Sequence, residues 1–108
     1  MSKWTVTYYN DNVVAAIERW PDGIQAKYVR MIDLIEEFGP QLGPPHTKAV
    51  APGLYEIRIK AKEGIARSFF CYVEKQEIVV LHCFIKKSQA IPQKELDIAL
   101  RRLKEIKS

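Results

Sequence analysis

The chain has 108 residues, 47% of them hydrophobic and 28% charged, with 17 Lys and Arg against 13 Asp and Glu for a formal net charge of +4. This composition excludes a disordered chain and is enough for one cored domain over residues 1–108, while a small positive balance points only weakly to an anionic partner. No apolar run reaches membrane-spanning length and MSKWTVTYYND lacks the apolar core of a signal peptide, so a cytoplasmic protein away from membranes is expected.

Trp4 to Tyr9 is rich in aromatic and β-branched residues and predicts a strand. Asn10-Asp11-Asn12 offers N-cap chemistry, and Val13, Ile17 and Trp20 recur at helical spacing until Pro21-Asp22-Gly23 interrupts them. Ile24, Tyr28, Met31, Ile35 and Phe38 then form one continuous apolar stripe, which predicts a second helix and a helical hairpin packed on a sheet. Gly39 to Thr47, with three prolines and two glycines, reads as an irregular loop, and Ala51-Pro52-Gly53 as a type II turn. Three β-rich segments follow, LYEIRIKAKEG, IARSFFCYVEKQ and EIVVLHCFIKK, whose short connections predict an antiparallel meander. Pro92 opens a last helix striped by Leu96, Ala99, Leu103 and Ile106. The expected fold is α+β: a small antiparallel sheet with an N-terminal helical hairpin and a C-terminal helix, in the order β-α-α-β-β-β-α.

Within the meander, cations interrupt apolar segments, and strand residues project only to one face or the other. Tyr55, Ile57 and Ile59 share one face of the first strand, leaving Glu56, Arg58 and Lys60 on a polar face. Arg67 shares its side with Ile65, Phe69 and Cys71, a setting that suggests an edge or bulge position unless a partner covers it. Lys86 and Lys87 would point to opposite faces if the strand continued. His82 shares parity with Ile78, Val80, Phe84 and Lys86; its plain reading is a hydrogen-bonded core histidine and its functional reading a proton shuttle. Cys71 and Cys83 lack CxxC spacing, so buried free thiols are expected rather than zinc ligands, although neighbouring strands would permit a disulfide.

The segments LGPPHTKAVAPGLYEIRI, GIARSFFCY and VVLHCFIKKSQAIPQKELDIALRR resemble the RelE/ParE superfamily of small bacterial toxins, and within it the HigB-like, phage-derived-protein branch. Phe84, Lys86-Lys87, Ile91-Pro92, Glu95 and Ala99 fall at that branch's spacing. The resemblance implies an endonuclease that cuts mRNA in the ribosomal A site and is held inactive by a cognate antitoxin, a small DNA-binding protein. It places Arg58 and Arg67 toward the RNA, with Lys86 or Lys87 as a further cation. Relatives carry a Tyr or His near the C-terminal helix, where this chain has Gln93 and Glu95, so the general acid and base stay unassigned.

RNA cleavage without a metal must remove a proton from the 2′-hydroxyl, stabilise charge on the phosphate and protonate the leaving 5′-oxygen. Arg58 and Arg67 suit the second task, because a guanidinium meets two phosphate oxygens and stays charged; the plain alternative is a salt bridge to Glu56 or Glu74. Arg58, Arg67, Lys86, Lys87 and His82 are therefore the catalytic candidates, with no cofactor and no metal. Lys48, Lys60, Tyr72, Arg101 and Arg102 are the candidates for RNA contact. Two other functions compete: a topoisomerase inhibitor of the ParE kind, and a nucleic-acid-binding module that cuts nothing.

Overall fold

The computed structural model describes residues 3–87 and 90–107, so Ser88 and Gln89 of the resembling C-terminal segment lie outside the described residues. Its elements run β1 (Thr5–Tyr8), α1 (Asp11–Glu18), α2 (Asp22–Phe38), a 3-10 turn (Gly39–Gln41), β2 (Thr47–Ala51), β3 (Leu54–Ala61), β4 (Gly64–Val73), β5 (Glu77–Lys86) and α3 (Gln93–Lys107). Five strands form one sheet in the order β1-β5-β4-β3-β2. The meander β3-β4-β5 is antiparallel as the short connections require, whereas β1 joins the far edge parallel to β5. The expected α+β class stands, with one strand added. The added strand is Thr47–Ala51, whose two ends the sequence assigns to the proline loop and to the Pro52 turn, and it pairs antiparallel with β3. Gly53 has φ 75, which satisfies the left-handed position of the β2–β3 turn.

Asn10 caps α1 as its chemistry suggests: Oδ1 accepts a hydrogen bond from Val13 N at 3.1 Å. Pro21 ends the first helical run and the chain re-enters helix at Asp22. Gly39 closes α2 at φ 54, and the Trp4 indole occupies the space a Cβ there would need.

The helices cover both faces of the sheet. Val13 and Ile17 of α1 and Ile24, Tyr28 and Ile35 of α2 pack with Ile57, Ala66, Phe70, Ile78 and Val80 on one face. On the other, Leu96, Ala99, Leu100 and Leu103 of α3 pack with Leu54, Phe69, Cys71, Leu81 and Phe84. No helix among the described residues is long and apolar enough to cross a membrane.

The two cysteines sit in different cores, Cys83 under α1 and α2 and Cys71 under α3, so the sheet itself separates them and both are free thiols. Burial pushes the Cys83 thiol up to about 12 and raises that of Cys71 as well. Both are expected to resist a thiol reagent such as DTNB at pH 8 in the native protein and to react on denaturation; rapid labelling of either in the folded chain would contradict this burial. Because both folded thiols lie above the unfolded value, their contribution to stability is intact at neutral pH and is lost as pH rises above about 9, for Cys83 as it approaches about 12.

Candidate active site

The strand register assembles the site in three rows across the face that carries α3. Lys48, Glu56, Phe69 and His82 form the first row, Arg58, Arg67 and Phe84 the second, and Lys60, Ile65 and Lys86 the third. Five cations thus share these three rows with one carboxylate, Glu56.

A β-bulge in β5 brings His82 onto this face. Phe69 pairs with His82 but Phe70 pairs with Val80, which leaves Leu81 as an extra residue. Ile78 and Val80 accordingly face α1 and α2, while His82 faces α3 together with Phe84. Strict alternation had grouped His82 with Ile78 and Val80, and the bulge overturns that grouping. Arg102 of α3 donates from Nη1 to Leu81 O at 2.7 Å, supplying a partner to the bulged residue's carbonyl. Its guanidinium also lies over the Tyr9 ring, 4.6 Å from the centroid. Arg102 therefore anchors α3 to the sheet.

At the centre, Arg67 is wholly buried on an interior strand, not at an edge, and the bulge lies in β5 rather than at Arg67. Its Nε lies 3.3 Å from Glu56 Oε2, and that carboxylate is itself only 3% exposed. Of the two readings of Arg67, the salt bridge to Glu56 is the contact observed. Burial draws the guanidinium below its ordinary value, Glu56 opposes that shift, and the neighbouring Arg58 adds to it. Arg58 stands directly opposite Arg67 on β3 with its side chain exposed. Like charges in such a cross-strand pair repel, and Glu56 offsets only one of the two. The surplus charge is presented by Arg58 to solvent.

His82 Nε2 lies 2.7 Å from Glu95 Oε1 near the start of α3, and both side chains are mostly buried. The imidazole stacks on Phe84, at 5.8 Å between centroids, and the Arg67 guanidinium lies over the same ring at 5.9 Å. With Nε2–H donated to the carboxylate, Nδ1 keeps a lone pair and is an acceptor. The pair thus has the elements of a proton-transfer unit: an imidazole and a group that fixes its tautomer and orientation. The sequence singles out Glu95 only by its position, because it lies thirteen positions from His82, across the connection from β5 to α3.

The remaining candidates divide. Lys86 ends β5 exposed on the site face, and Lys87 is exposed just beyond the strand. Lys48 and Lys60 are exposed at the β2 and β3 margins. Lys48, Glu56 and Arg58 line a cavity of about 380 Å³ with Pro44, Pro45 and His46, so the proline loop forms one wall of the site. Tyr72 lies across the sheet from Arg67, packed edge-on against Trp4, Tyr55 and Phe70. Arg101 is exposed on α3. Among the described residues, no group of three or more His, Cys, Asp or Glu is placed to hold a metal ion.

Helices on both faces of a mostly antiparallel five-stranded sheet are compatible with the small α+β fold of RelE-like toxins. The model of the family described as phage-derived protein Gp49-like (DUF891) matches residues 15–104, and the chain belongs to that family, one of the RelE/ParE-like toxin families. No curated protein matches the chain.

Proposed function

We propose that this protein is the toxin of a toxin–antitoxin pair of the HigB-like kind, an endoribonuclease that cuts mRNA on the ribosome in the cytoplasm. The observation that carries the reading is the juxtaposition, on one sheet face, of the exposed Arg58 and Lys86 with the His82–Glu95 pair. In the reaction, the 2′-hydroxyl gives its proton to His82 and its oxygen attacks the adjacent phosphorus. The bond to the 5′-oxygen breaks, the leaving oxygen takes up a proton from water, and a 2′,3′-cyclic phosphate remains. Arg58 stabilises the negative charge on the phosphate oxygens, while buried Arg67 pairs with Glu56 and so keeps that carboxylate from offsetting the charge of Arg58. The cognate antitoxin, expected to be a small DNA-binding protein, would hold this activity in check.

Expression in bacteria with mapping of new mRNA 5′-ends against ribosome position tests the reading. Codon-phased cuts are expected, and Arg58→Ala is expected to lower them about 10²–10³-fold, the usual effect of removing one charge-stabilising group. Uncut mRNA with arrested supercoiling would support the ParE-like alternative. One observation favours a third reading, a nucleic-acid-binding module without cleavage: Arg67 is buried against Glu56 and does not reach the surface. RNA binding with no new 5′-ends would establish it.

A further inference from the structure

The site face opens at one margin, because β2 is too short to cover β3. Pairing between them reaches only Thr47 opposite Ile57, which leaves Arg58 to Lys60 as an uncovered strand edge. Two cavities meet there. The 380 Å³ cavity beside the proline loop includes His46, Lys48 and Arg58; a second, of about 280 Å³, lies between β3 and α2 and is lined by Lys27, Arg30, Met31, Arg58, Ile59 and Lys60. Arg58 belongs to both, and no carboxylate lines the second. Lys27 and Arg30 are one helical turn apart on the exposed side of α2, so both side chains reach the same groove.

We propose that a single strand of RNA held at the sheet face continues past Arg58, around the open edge of β3, and is bound through its phosphates by Lys27 and Arg30. Where the strand begins rests on the endonuclease reading; the groove and its charges do not. Four cations around an apolar floor of Met31 and Ile59 suit phosphates, with the floor beneath a ribose or base. A peptide adding itself as a further strand fits less well. It would need the outward backbone groups of β3, and Lys27 Nζ already donates to Lys60 O at 3.1 Å. One of the strand's outward carbonyls is thereby taken while its charges stay available.

The test measures binding of a fluorescent twelve-nucleotide oligouridylate by anisotropy across a potassium chloride series. Its riboses are 2′-O-methylated, so it lacks the nucleophile and cannot be cut, and binding is read separately from activity. Lys27→Gln/Arg30→Gln keeps good helix formers on α2. Losing two phosphate contacts is expected to flatten the salt slope by about 1.4, which corresponds to roughly 25-fold weaker binding at 0.1 M salt. The charge-matched control Lys3→Gln/Lys75→Asn, at the opposite end of the sheet, is expected to bind as the unaltered protein does. The inference is overturned by a wild-type slope in the α2 variant, by an equal loss in the control, or by no binding of the oligonucleotide at all. Displacement by polyglutamate as effective as by unlabelled RNA would also overturn it, in favour of an acidic protein segment. Uncut mRNA in cells, with the slope change intact, would remove the endonuclease reading alone.

Discussion

Arg67→Ala is expected to destabilise the fold by about 3–5 kcal/mol, measured by urea denaturation, because it strands the Glu56 carboxylate in the protein interior without its counter-charge. The cost comes from the charge left behind more than from the contact removed. Replacing both partners with apolar side chains of similar size, Arg67→Met with Glu56→Leu, is therefore expected to recover most of the loss. A single variant that loses less than about 1 kcal/mol would show that the two groups do not depend on each other. The double variant also separates structure from function: Arg67 and Glu56 offset each other, so removing both leaves the surplus charge on Arg58, and the variant should fold and still cut.

The second large effect belongs to the proton-transfer pair. His82→Ala is expected to lower cleavage by about 10²–10⁴-fold, the range for losing a positioned acid or base. Glu95→Gln keeps the size of the side chain but loses the carboxylate, and is expected to cost less. The informative variant is the double. If Glu95 acts only by orienting His82, adding Glu95→Gln to His82→Ala lowers the rate no further. Independent, multiplying losses would show that Glu95 acts by itself, and full activity in His82→Ala would place the acid–base chemistry elsewhere.

Much of the fold was legible because its signals are local. The α2 stripe from Ile24 to Ile35 and the Asn10 cap are settled within a few residues, and the meander follows from two short turns. The parallel pairing of β1 with β5 joins residues about seventy positions apart, and nothing in TVTY specifies it. The site was half legible for a similar reason. Arg58 and Lys60 sit on a polar face that alternation identifies, and their exposure follows. The bulge at Leu81 carries no glycine or other turn residue, so alternation alone misplaced His82. Arg67 among Ile65, Phe69 and Cys71 signalled an anomaly whose solution, Glu56 on the next strand, depends on register. Lys27 and Arg30 carry no signal in the sequence beyond an exposed helix face, and only the brevity of β2 shows an open edge beside them.

That open edge also bears on how copies of the chain meet one another. An uncovered strand is a template on which a second sheet can grow, and proteins guard such margins with charge. Here Arg58 and Lys60 guard it from within the strand and Lys27 from the neighbouring helix, its ammonium on the Lys60 carbonyl. Like-charged margins repel when two molecules approach edge to edge, and salt weakens that repulsion over about 8–10 Å at ordinary ionic strength. The colloidal behaviour of the protein is thus tied to the groove: conditions or substitutions that neutralise it bring the chain closer to strand-to-strand association.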